Sequence, residues 1–196
     1  MSKRTAAVKR KTTETDVSID LVLDGDGTHK IETGIGFFDH MLRQVAVQGL
    51  FDLTVRAVGD LCVDDHHTVE DVGLAFGTAI LDATGERAGI RRYGASIVPM
   101  DESLALVSID LSGRSGCWVE TSLTGNIGSF DTELVEEFFA AFARGGKLTL
   151  HARVLAGGNR HHMTEALFKA FGRALDEAVA VDARRGGAAS SKGTLL

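Results

Sequence analysis

Asn159-Arg160-His161-His162-Met163-Thr164-Glu165 decides the reading of this chain, because two adjacent histidines followed three residues later by a carboxylate put three metal-competent ligands on one helical turn. Asp65-His66-His67-Thr68-Val69-Glu70 repeats the pattern 95 positions earlier. At the same offset Ala75-Phe76-Gly77 matches Ala170-Phe171-Gly172, and Ala79-Ile80 matches Ala174-Leu175. Working outward, Val17-Ser18-Ile19-Asp20-Leu21 alternates as a half-buried strand does and returns identically as Val107-Ser108-Ile109-Asp110-Leu111. Ile31-Glu32-Thr33 pairs with Val119-Glu120-Thr121, and Leu53-Thr54-Val55-Arg56-Ala57 with Leu148-Thr149-Leu150-His151-Ala152. The chain is therefore a duplication. The matched strings span roughly 5–90 and 97–185, which divides it into a half at 1–95, a half at 96–185 and a tail at 186–196. Each half reads strand, strand, helix, strand, helix. Two long repeats point to a pseudo-twofold α+β fold, two tandem similar βα halves with helices on one face of each sheet, and not to a solenoid.

In each half the first helix ends in glycine: His40 to Gly49, and about Thr132 to Gly145 with Asp131 as its N-cap. The second helix starts at the double histidine. Val69, Val72, Phe76, Ala79, Ile80 and Ala83 keep the spacing of a buried stripe, as do Leu167, Phe168, Phe171, Leu175 and Ala178.

Composition bounds the function. With 196 residues, 44% hydrophobic and 24% charged, the chain can bury a sizeable core. No apolar run has signal-peptide or bilayer-spanning length, which reads as a cytoplasmic protein with no membrane partner. A net charge of −6 argues against a nucleic-acid partner. The basic cluster Lys3, Arg4, Lys9, Arg10, Lys11 reads as a solvated N-terminal arm, and Cys62 and Cys117 as reduced, packed thiols. By composition, 186–196 is a flexible end, although its glycines, serines and Lys192 are also the chemistry of a phosphate-gripping loop.

At roughly 100° per helical residue, His66 and Glu70 share a face while His67 turns away, and the apolar stripe lies opposite. One motif can thus give His66 and Glu70 to one ion and His67 to another, and its copy can do the same with His161, Glu165 and His162. Histidine and carboxylate without thiolate suit manganese, iron, zinc or nickel; octahedral ligation favours manganese. The duplication offers further ligands at equivalent places on the first helices: His40, in Gly36-Phe37-Phe38-Asp39-His40-Met41, and Glu137, in Leu134-Val135-Glu136-Glu137. His151 reads as a polar-face strand residue.

The strings Gly36-Phe37-Phe38-Asp39-His40-Met41-Leu42, Asp65 to Asp71, Asn159 to Glu165 and Ser190-Ser191-Lys192-Gly193 resemble those of the imidazoleglycerol-phosphate dehydratase family. The resemblance runs along essentially the whole chain. It implies a ribosomal-S5-like superfold in each half, dehydration of imidazole glycerol phosphate to imidazole acetol phosphate in histidine biosynthesis, and a hollow homo-oligomer of twenty-four subunits. Two Mn2+ ions per active site, between subunits, are implied to hold the substrate as imidazolate. His40, His67, His161 and Glu165 are implied for one ion and His66, Glu70 and His162 for the other. Other members often carry histidine at the place of Glu137, so this second set is completed differently here. Phosphate-gripping residues fall on Arg92, Arg114, Ser190 and Lys192, which turns the tail into an anchor. The family's N-terminal glutamate falls on Glu14, a substrate-binding position; the chemistry of the elimination makes Glu14 the acid/base, with the ligating carboxylates Glu70 and Glu165 assisting proton transfer. The alternatives left by the residues are a binuclear metallohydrolase and a non-catalytic metal-binding assembly protein.

Overall fold

The computed structural model describes residues 3–195. The first half runs β1 (Thr5–Lys11), β2 (Thr15–Val22), β3 (His29–Glu32), α1 (Gly36–Gly49), β4 (Asp52–Gly59) and α2 (His66–Thr84). The second runs β5 (Tyr93–Met100), β6 (Ser103–Asp110), β7 (Gly116–Glu120), a small hairpin β8 (Asn126–Ile127) and β9 (Phe130–Asp131), α3 (Leu134–Gly146), β10 (Thr149–Ala156) and α4 (Arg160–Val179). The duplication is reproduced in the topology. One sheet has the order β1-β2-β4-β3 and the other β5-β6-β10-β7. In both, the first two pairings are antiparallel and the last is parallel across a helical crossover.

Each half thus opens with a strand that the alternation argument missed. The basic cluster is no free arm: β1 carries Lys9, Arg10 and Lys11 and pairs with β2 from Thr5↔Val22 to Lys11↔Asp16, while Arg4, just before it, is bonded to Asp24 and to the Val179 carbonyl. As an edge strand it exposes Lys9 and Lys11, charges that block pairing with another chain. Its partly buried face holds Ala6, Val8 and Arg10.

One face of each strand of β2 and β4 is buried in alternation, and α2 lies against β1, β2 and β4 as α4 lies against β5, β6 and β10. The helices also meet across the halves, α1 against α4 and α2 against α3, so that a single apolar cluster runs through both units. Phe138 of α3 stacks on Phe168 of α4 at 5.2 Å and meets Phe38 of α1 edge-on at 5.4 Å. The repeated glycine of the Ala-Phe-Gly strings explains the close approach. A Cβ on Gly77 would overlap the Phe142 carbonyl of α3, and one on Gly172 would stand 2.8 Å from the Val45 carbonyl of α1.

Helix ends differ from the sequence reading in detail. The left-handed residues that stop α1 and α3 are Leu50 (φ 54°), one place beyond buried Gly49, and Lys147 (φ 45°), two places beyond half-buried Gly145. Asp131 lies in β9 and does not cap α3, whose N-cap is Glu133; Asp131 Oδ1 accepts from the Glu133 N–H at 3.1 Å. Asn159 does cap α4, accepting from the N–H groups of both His161 and His162. Cys62 is exposed, not packed, and Cys117 is half-buried, where loss of water pushes its thiol up to about 12. No described helix is long and apolar enough to cross a membrane.

Candidate active site

The Asn159 cap fixes the first turn of α4, and the Thr33 N–H and hydroxyl, both donating to Asp39 Oδ1 at 2.9 and 2.6 Å, fix the first turn of α1. Those two turns bring His40 and His161 together. Their Nε2 atoms each stand 3.1 Å from the same oxygen, Glu165 Oε2, while Lys169 holds the other, Oε1, at 2.8 Å. Glu165 is buried. Burial opposes its ionisation, but the Lys169 and His40 contacts outweigh it and hold the carboxyl below its usual range. Phe37 lies edge-on to His161 at 5.2 Å and walls the cluster on its apolar side.

A second cluster joins His66 and Glu70 of α2 to Glu137 of α3, with one ligand atom from each lying within 4.8 Å of the others. The helix α2 that carries two of these ligands is the repeat of α4 that carries His161 and Glu165. Both donor sets fit a divalent cation: imidazole nitrogen and carboxylate oxygen, without thiolate. The 3.1 Å spacing at Glu165 also matches the roughly 3 Å between adjacent ligands about 2.1 Å from an octahedral ion.

His67 and His162 join neither cluster within one chain. His67 Nδ1 is paired with Asp60 at 3.1 Å, with Glu14 Oε2 at 3.8 Å. His162 Nδ1 is paired with Glu102 at 2.8 Å, with Asp101 3.7 Å from its Nε2. Each histidine is lifted above its ordinary value, chiefly by the hydrogen bond to its carboxylate, and Glu102 is lowered to about 2 by the same bond. Glu14 and Glu102 occupy the turns of the opening hairpins of their halves, so the acid/base candidate has a structural counterpart. The Glu14 turn is fixed by buried Asp71 of α2, which accepts from Arg10 Nε at 2.7 Å and from the Thr15 hydroxyl.

Arg92, Arg114, Ser190 and Lys192 line one cleft of about 720 Å³, together with Tyr93 and Ser112. The tail is packed: Ala188 bridges Ala88 and the Gly89 N–H donates to the Gly187 carbonyl at 3.0 Å, and just before it Val181 bridges Ile90. Arg92 ties it down. Its guanidinium makes a fork with Asp110 at 2.6 and 3.0 Å and donates to the Ala189 carbonyl at 2.7 Å, so much of its hydrogen-bonding capacity is already used. Arg91 points elsewhere, 3.4 Å from Glu177. His151 stacks on Trp118 at 4.8 Å on the strand surface.

Sequence reasoning missed Asp60, Glu102, Arg144 and Lys169, the partners of the candidate ligands. Glu102 carried a usable signal in its place opposite Glu14 in the repeat, and Lys169 another in its spacing of four residues from Glu165 on α4.

The chain matches the family model described as imidazoleglycerol-phosphate dehydratase over residues 33–175. It is 55% identical over 194 residues to imidazoleglycerol-phosphate dehydratase of Clostridium acetobutylicum, covering 98% of each protein. It is 53% identical to that of Desulforamulus reducens over the full length of both. Crystal structures of the dehydratases of Pyrococcus furiosus and Staphylococcus aureus superpose with TM-scores of 0.84 and 0.80 at 34% and 39% identity, covering 96% and 90% of this chain and all of theirs. The duplicated histidine helices, the two-sheet fold and these full-length similarities place this chain in the imidazoleglycerol-phosphate dehydratase family, the hydro-lyases of histidine biosynthesis.

Proposed function

We propose that the chain eliminates water from imidazole glycerol phosphate to give imidazole acetol phosphate with two divalent ions per site, manganese by ligand chemistry. The observation that carries this reading is the convergence of His40 and His161 on one oxygen of Glu165, with His66, Glu70 and Glu137 clustered on the repeated helix. Held by those residues, the ions would supply Lewis-acid stabilisation of negative charge on the substrate ring. His67 and His162 stand outside both clusters within one chain, which supports sites completed by a neighbouring subunit in the twenty-four-subunit particle implied by the resemblance. We place that particle in the cytoplasm and assign it no nucleic-acid or membrane partner.

The chain's own side chains do the rest. Glu14 moves the carbon-bound proton, with Glu70 and Glu165 assisting from their ligand positions. Electron density from the ring expels the adjacent hydroxyl, which takes a proton from the Glu14 carboxyl and leaves as water; the neighbouring carbon then returns a proton to Glu14, and the resulting enol becomes the ketone. Arg114, Ser190 and Lys192 hold the phosphate, and Arg92 holds the tail segment that presents two of them. In the assay, chelator-stripped protein is given substrate with and without Mn2+. Product that forms only with metal is the expected result. Tight metal binding without product would sink the dehydratase reading and leave the ligand groups standing.

A further inference from the structure

The two clusters differ in what neutralises them. At Glu165 the cation, Lys169, takes the oxygen that the histidines do not use, leaving Oε2 to His40 and His161. At the other cluster the cation stands on the ligands themselves: Arg144 Nη2 is 2.6 Å from Glu70 Oε1 and 3.1 Å from Glu137 Oε1. Glu137 and Arg144 lie seven residues apart on α3, two turns of one face, which aims the arginine across Glu137 at Glu70 of α2. Arg144 is 47% exposed, and among the described residues its guanidinium is hydrogen-bonded to these two carboxylates alone.

We propose that Arg144 is a resident counter-cation of the His66, Glu70 and Glu137 site, competing with a divalent ion for both carboxylates and making the two sites load in order. The inference rests on the two-ion reading above and deepens it. A guanidinium is charged at every working pH, so it cannot be neutralised out of the way and must swing off. Its half-exposed position and long stem allow that movement into water. An ion entering the second site exchanges with Arg144 and loses the binding free energy of two charge-assisted hydrogen bonds; an ion entering at His40, His161 and Glu165 displaces only hydrogen bonds between ligands.

The test is a titration of the full-length, assembled, chelator-stripped protein with Mn2+, followed by calorimetry and by the electron paramagnetic resonance signal of free Mn2+. The wild type is expected to bind in two steps, the second at least about tenfold weaker. Arg144→Gln should tighten the second step by about tenfold and leave the first unchanged. Arg144→Lys, which keeps the charge without the fork, should tighten it less. In a His40→Ala background only the weaker step should survive, and Arg144→Gln should strengthen it there as well. Equal steps in the wild type, or a second step in Arg144→Gln no tighter than before, would overturn the proposal while leaving two bound ions in place. Absence of any Mn2+ binding would remove the two-ion reading and this inference together.

Discussion

Glu102 Oε2 lies 2.8 Å from His162 Nδ1, and the bond moves both groups, the carboxyl down to about 2 and the imidazole above its ordinary value. The carboxyl's contribution to stability is present above its unfolded value of 4.5 and is lost as pH falls towards 2. The histidine's is full below its unfolded value of 6.5 and is lost as pH rises through the higher folded one. The pair therefore stabilises most between about pH 4.5 and 6.5. In metal-free protein the Tm gap between wild type and Glu102→Gln should be widest in that window and narrow on either side. A gap independent of pH would show that the pair does not behave this way.

Glu14 is half-exposed, 3.8 Å from His67, on a turn pinned by Asp71. Glu14→Gln keeps the size of the side chain and removes its proton chemistry. Turnover should fall by about 10²- to 10⁴-fold while bound manganese per subunit, measured by atomic absorption, stays constant. Undiminished turnover would take Glu14 out of the reaction.

Arg92 and Arg114 share a cleft but do different things. Arg92→Ala breaks the link to Ala189, so amide exchange across 186–195 should accelerate and KM should rise. Arg114→Ala should raise KM by about tenfold or more with no change in exchange of the tail. Identical exchange in the two variants would mean that Arg92 does not hold the tail.

Gly77 and Gly172 let helices of opposite halves touch. Gly77→Ala and Gly172→Ala should each cost about 1–3 kcal/mol in urea unfolding, through overpacking. Gly36→Ala is the control, since a Cβ there meets nothing within 4 Å. Equal stability in all three would argue that the helix contact yields easily.

The duplication was legible because one fold imposes the same buried face twice, so Val17 to Leu21 and Val107 to Leu111 had to agree. β1 was not, because Ala6 and Val8 are weak apolar signals and the alternating Lys9 and Lys11 look like a basic arm. The ligand groups were legible from helical spacing: His66 with Glu70, His161 with Glu165. Of their neutralising partners only Lys169, one turn on from Glu165, lay within local reach; Arg144 reaches Glu70 from 74 residues away and Glu102 reaches His162 from 60. Distances of that kind are set by how α2 meets α3 and how the β5–β6 turn folds over α4, and local periodicity carries neither.

Because α1 rests on α4 and α2 on α3, the first half leaves the ribosome with the inner surfaces of its helices uncovered. At about 5–20 residues per second, the second half takes roughly 5–20 s more to appear. During that interval Phe38, Val45 and Phe76 belong to a nascent chain whose sheet can close but whose helical layer cannot. Holdase chaperones should bind this stretch in preference to the later one, and a ribosome stalled near the middle of the message should release an aggregation-prone fragment.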